Sequence, residues 1–401
     1  MVNVPPRDTD APNATTVPPA ARLGSPAPAT TAAEDDIGGR DPFIDFVRAF
    51  SLIIVVIWHW SFTIIKWLDD GPHATNPIGF TDGLWLVTWL LQVMPLFFFV
   101  GGYAHQQSYR RKQERGTSMW TFVGRRLAEL TVPAVTLAGV WIVLGIVVAI
   151  VFDSGWIKRS VLLVISPLWF IGVYLLLIAM FPIWGWLHRR FGALVLLWLA
   201  GLAMLVDVLR FSHDIEQIAW LNMIFVWGFC HQLGFFYGDF VRAPRRVAWM
   251  LAWGGLFALS GLVYSNAYPG SMVGVPGERF SNMAPPTVCL AALVMFQAGV
   301  ALLLRDTTLR KLEQPRWERA SRVVNRFSMP LFLFHTTGFA ISFAIGYLIK
   351  GERRFAEVAT WQWWLGRPLA LITPMIWTAP IIWFFGKRLT KGERDRAARR
   401  A

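Results

Sequence analysis

The sequence predicts an all-α polytopic membrane protein with about ten transmembrane helices and both termini in the cytoplasm. Three observations carry that prediction. Of the 401 residues, 55% are hydrophobic and only 16% are charged, against about 25% charged in a typical soluble domain. Ten apolar runs approach the ~20 residues a helix needs to cross a ~30 Å hydrocarbon core. Lys and Arg gather in every second loop, the bias expected of cytoplasmic loops. The mean hydropathy of +0.45 agrees. A membrane barrel would instead show ~10-residue alternating segments, which are absent here.

Three segments follow. Residues 1–40 are rich in Pro, Ala and Thr, end on Glu34-Asp35-Asp36 and close with Gly38-Gly39. They cannot bury enough apolar surface to offset the entropy of ordering, so they read as a disordered cytoplasmic tail. No basic start leads into a short apolar run, so they do not read as a signal peptide. Residues 41–390 hold the membrane domain, and residues 391–401 form a basic cytoplasmic tail.

The ten spans fall at about 43–67, 83–104, 122–151, 160–186, 191–207, 218–238, 246–264, 286–304, 328–349 and 366–386. The third and fourth are long or contain Pro, so a break is expected in one of them. The loop after span 1 carries Asp69, Asp70, His73 and Asp82 and no Lys or Arg, whereas that after span 2 has Arg110, Arg111, Lys112 and Arg115. The other even loops and the tail from Lys387 continue the pattern, against Lys158 and Arg159, Arg210, Arg279, and the Lys350, Arg353 and Arg354 group in odd loops. The formal charge of +13 is thus mostly the positive-inside bias, with no basic domain for nucleic acid. Some of these bases could also hold an anionic ligand. Cys230 and Cys289 have neither metal-ligand nor disulfide spacing, and no metal is expected.

Ionisable groups inside a membrane are costly and tend to face a partner or a cavity. The first span is densest in them. Asp41 suits an N-cap and Pro42 the first helical position. Arg48 and His59 are eleven residues apart, just over three turns, so both project from one face about 16 Å apart along the axis. Asp45 lies near that face. Arg48 reads either as a snorkelling anchor or as part of a functional face, and His59 either as a histidine hydrogen-bonded within the bundle or as part of that face. Their pairing on one stripe with Trp58 and Trp60 favours the functional face. Gly101-Gly102 in the second span reads as a close helix contact. His105 reads as solvated. Arg125 and Arg126 are either anchors or anion ligands. His335 and His231 read as hydrogen-bonded core histidines. Trp169 reads as interfacial belt or pocket wall. No soluble nucleotide-binding or hydrolase motif is present.

The run Arg40-Asp41-Pro42-Phe43-Ile44-Asp45-Phe46-Val47-Arg48-Ala49 with the deeper His59 resembles the opening signature of the acyltransferase 3 family of membrane acyltransferases. Pro95-Leu96-Phe97-Phe98-Phe99-Val100-Gly101-Gly102, Leu168-Trp169-Phe170 and Leu331-Phe332-Leu333-Phe334-His335 are similar to further family segments. The resemblance spans residues 40 to 390. It implies ten helices and transfer of an acyl group, often acetyl, from a cytoplasmic donor such as acyl-CoA. The acceptor would be a hydroxyl of a carbohydrate, a lipid-linked glycan or a secreted small molecule. It implies His59 and Arg48 as catalytic residues, with Arg110, Arg111, Arg125 and Arg126 toward the donor and Asp45, His335 and Trp169 in support. It also implies a bacterial plasma membrane, with membrane lipids as surroundings and no resident cofactor. One departure stands out: Glu129 occupies the position where the family often has a second Arg, three after Arg126.

An acceptor hydroxyl is a poor nucleophile until its proton is removed, and a His with an ordinary pKa near 6.5 can remove it. His59 would be that base, or would carry the acyl group itself. The alternative from another class is a proton-coupled small-molecule carrier. Against it stand the lack of an internal repeat and of a buried carboxylate series, since Asp207 and Asp239 read as boundary residues.

Overall fold

The computed structural model describes residues 41–68, 71–152, 157–275, 277–350 and 360–398. The expected tail 1–40 lies outside them, as do Asp69, Asp70, Arg353 and Arg354.

The first helix, α1 (Pro42–Phe62), starts as expected: the Asp41 carboxylate accepts from the Phe43 and Ile44 amides. It ends five residues earlier than hydropathy alone suggests. Thr63 turns extended, and the β-branched Ile64-Ile65 pair opens an antiparallel hairpin of β1 (Ile64–Leu68) and β2 (Gly71–Thr75), with Lys66 opposite His73. Branched side chains favour the pleated state once the helix has stopped, and an average of hydropathy cannot see that change of period.

A short α2 (Val87–Leu91) leads into α3 (Met94–Gln113). The third span is one long helix, α4 (Met119–Phe152), which runs through Pro133. The fourth is the broken one. It divides into α5 (Ile157–Ile165), α6 (Leu168–Ala179) and α7 (Phe181–Phe191). Pro167 stands at the first break and Pro182 near the second, where the axis bends by 54°. After α8 (Leu194–His213), the expected span 218–238 is also divided: a 3-10 turn, α9 (Asn222–Gly234) and α10 (Tyr237–Arg242). Thirteen residues rise only ~20 Å. The remaining helices are α11 (Arg245–Tyr264), α12 (Val288–Leu312), α13 (Pro315–Arg326), α14 (Ser328–Lys350), α15 (Trp361–Leu365) and α16 (Arg367–Ala398). The expected tail from 391 thus begins as a continuation of α16.

Among the described residues, eight helices are long and apolar enough to cross a membrane, or nine if the bent α6–α7 pair is one crossing. The chain is an all-α integral membrane protein, apart from the hairpin. Helix α1 is central and packs against α3, α12, α13, α14 and α16. The α3–α9 seam is close: a Cβ on Gly102 would collide with the His231 carbonyl, and one on Gly234 with that of Phe99. The close-contact reading of Gly102 holds. The packing corrects two expectations. His105 is buried, one turn past Gly102, with its Nδ1 3.1 Å from His231 Nε2. Asp207 is fully buried, accepting from the Asn222 amide, the Tyr268 hydroxyl and the Val288 backbone amide. It fastens the 265–287 loop to the bundle.

Candidate active site

The first helix delivers its polar stripe to two neighbours. Near its start, Arg48 donates to the Asp45 carboxylate at 3.1 Å and to Asn325 Oδ1 at 2.8 Å. The Asn325 amide donates in turn to the Asp45 carbonyl at 2.7 Å. A guanidinium held by two fixed acceptors has a set direction, yet Arg48 keeps about a third of its side chain exposed. It can still meet an anion. Asn325, on α13, has no signal in the sequence that links it to α1.

Deeper in the helix, His59 Nδ1 lies 2.9 Å from His335 Nε2, with the rings stacked 5.0 Å apart. His335 is fully buried, and its Nδ1 is 2.6 Å from the Phe332 carbonyl. A carbonyl only accepts, so His335 Nδ1 must carry hydrogen. In the neutral ring, Nε2 then has the lone pair and accepts from His59 Nδ1–H. That leaves the lone pair of neutral His59 on Nε2. The network thereby assigns both tautomers. Trp60 fixes the arrangement by donating to the His335 carbonyl at 2.9 Å. His335 is thus bonded as expected, but its partner is the one histidine that the sequence marks out for chemistry.

Two cavities meet at His59. The larger has a volume of about 710 Å³ and runs between α4, α5 and α14 to the hairpin. The smaller, about 200 Å³, lies between α1, α2, α3 and the start of α6. Trp58 and His59 stand in the wall of both. Trp169 lines the smaller one and keeps 39% of its surface exposed. Among the described residues no three His, Cys, Asp or Glu side chains converge on a metal position.

Residues 41–384 match the family model of the acyltransferase domain, acyltransferase 3. The chain belongs to the acyltransferase 3 family. The match covers most of the chain, and it decides for an enzyme over a carrier: this is an O-acyltransferase of the membrane, which needs an acyl donor and an acceptor. No curated protein and no solved structure matches it.

In this acyltransferase 3 enzyme the four basic positions differ. Arg110 and Arg125 are exposed, while Arg111 and Arg126 are half-buried. Arg126 pairs with Glu129 at 2.9 Å, so the residue that departs from the family pattern offsets the charge beside it. Arg126 and Arg48 both lie within electrostatic reach of Tyr174. Tyr174 packs on Phe97, Phe98 and Phe170 and covers Gly101. Sequence reasoning missed this tyrosine. The only available clue is a polar tip in the otherwise apolar run Leu168–Ala179, which is weak.

Proposed function

We propose that His59 is the general base of an acyl transfer from a cytoplasmic acyl-CoA to an acceptor hydroxyl of a carbohydrate or lipid-linked glycan. The observation that carries this is the His59–His335 pair, which leaves the lone pair of His59 on Nε2, with His59 in the wall of both cavities. In this reading both termini are cytoplasmic in a bacterial plasma membrane. The divided segment 216–242 would make the crossing that completes ten.

The donor would enter at the Arg48 end, where the loops are basic. Arg48 would take a phosphate of CoA, and Tyr174 with Arg126 would border the path. The extended arm of CoA would cover the ~16 Å to His59. His59 Nε2 then removes the hydroxyl proton of the acceptor. The freed oxygen attacks the thioester carbonyl carbon, the carbon–sulfur bond breaks, and the proton passes from His59 to the leaving CoA sulfur. An ester and free CoA result. His335 accepts from Nδ1–H throughout and stabilises the imidazolium while it exists.

Radiolabelled acetyl-CoA supplied to inverted membrane vesicles tests this. Label should enter extractable glycan or lipid with wild type. Arg48→Ala should weaken acetyl-CoA binding, and His59→Ala should keep binding and lose transfer. Saturable transport of a solute with no acyl incorporation would defeat the proposal.

A further inference from the structure

We propose that the larger cavity seats a straight hydrocarbon chain, with the carbonyl or hydroxyl end of that chain at His59, so that one of the two substrates is a lipid. This rests on the reading of His59 as the reacting group.

The size comes first. About 710 Å³ falls in the range of pockets that enclose a drug-sized ligand, ~300–1,000 Å³. An acetyl group would fill a small corner of it. The chemistry of the wall comes second. Among the described residues lining the cavity, no Asp, Glu, Lys or Arg is present. A sugar needs donors and acceptors wherever it is desolvated, and much of the wall's small polar set is already committed. Thr336 donates to the Val164 carbonyl, and Ser166 to that of Leu163. Asn76 donates to the Gly274 carbonyl and accepts from the Ile78 amide. The Trp141 indole donates to Thr337. Thr63, Thr75 and Ser160 also stand in the wall, with His59 at its end; the rest is mostly Trp, Phe, Leu, Ile, Val and Ala.

The position comes third. Leu144 and Leu348 line the cavity and are 47% and 82% exposed. Leu144 lies in a helix long enough to span, and Leu348 two residues past the end of another such stretch, Ser328–Gly346, so in this reading the open flank faces bilayer hydrocarbon. A chain can slide in sideways without leaving an apolar medium. At the other end stands His59, which faces the smaller cavity too. The two substrates can therefore approach the Nε2 lone pair from different sides.

One chain chemistry fits two sources: the acyl chain of a long-chain donor, or the alkyl chain of a lipid acceptor. Dodecanoyl-CoA and dodecanol, each tipped with a diazirine, separate them. The full-length protein in nanodiscs is irradiated with one or the other, and labelled peptides are mapped. We expect saturable labelling of Trp141, Val148 or Phe343, displaced by unlabelled chains of the same length. Labelling from the CoA form assigns the chain to the donor; labelling from the alcohol assigns it to the acceptor. Ala340→Trp and Gly145→Phe, at positions in the wall of the larger cavity alone, should each cut labelling at least tenfold. Either one suffices if the other does not fold. No saturable labelling from either probe, or labelling unchanged in a folded plugged variant, overturns the proposal. His59→Ala keeps the two readings apart. Full transfer in that variant defeats the role of His59, whereas absent labelling beside normal His59-dependent transfer defeats the lipid chain alone.

Discussion

His59 and His335 lie 276 residues apart in the chain and share a hydrogen bond of 2.9 Å. The Phe332 carbonyl on the far side of His335 gives that bond its direction. In the proposed mechanism His335 would act through His59 as a positioning residue. His335→Ala should lower kcat by roughly 10²-fold or more, on the way to the ~10⁴-fold cost of losing the tautomer-setting partner in a serine-protease triad. The Kd for acetyl-CoA should not move. His335→Gln, which can still accept from Nδ1–H, should recover part of the loss. An unchanged kcat in folded His335→Ala would remove His335 from the mechanism.

Arg48 sits between the Asp45 carboxylate and Asn325. Arg48→Ala should weaken acetyl-CoA binding roughly 10- to 100-fold, the range of a charged hydrogen bond. Arg48→Lys should restore little, since an ammonium lacks the planar fork that meets two acceptors and an anion together. Isothermal titration in detergent reads this directly; equal affinity in all three proteins would place Arg48 in anchoring alone.

Arg126 is offset by Glu129. Glu129→Arg restores the family pattern and releases Arg126, so donor affinity should rise, with a steeper fall on adding salt than in wild type. Unaltered affinity would show that this end of α4 does not meet the donor.

How much of this was legible in the sequence depends on the range of the interaction. Asp41, Pro42 and the Arg48–His59 stripe were readable because caps and helical periodicity are local. Gly102 was readable as a contact, though its partner, the His231 carbonyl, was not. Asn325, Tyr174 and the pairing of His335 with His59 depend on which distant helices meet, and spacing holds no record of that. His105 was misjudged for the same reason. Its position near a helix end suggested water, whereas the α3–α9 seam buries it. The breaks at Pro167 and Pro182 were expected somewhere in spans three and four. The division of 218–238 was not, since that segment has no Pro and its hydropathy is continuous.

Gly102 and Gly234 let α3 and α9 approach to backbone contact. Gly102→Val should cost about 1–3 kcal/mol or more through overpacking and lower the thermal midpoint in detergent. A midpoint equal to wild type would mean that the seam can open without penalty.

Asp207 accepts from three donors inside the bundle. Asp207→Ala leaves the Tyr268 hydroxyl, the Asn222 amide and the Val288 amide without it, at about 1–3 kcal/mol for each buried group left unpaired. Lower yield and a lower thermal midpoint should follow, with kcat per folded molecule nearly unchanged. A large loss of kcat in well-folded protein would instead tie the 265–287 loop to the chemistry.

The most direct measurement compares acetyl incorporation from radiolabelled acetyl-CoA with acetyl-CoA binding in the same preparations of wild type and His59→Ala. His59→Ala should bind the donor as wild type does and transfer roughly 10²- to 10⁴-fold less, the usual contribution of a general base. Transfer within a few-fold of wild type in folded His59→Ala would contradict the assignment of His59 as the base.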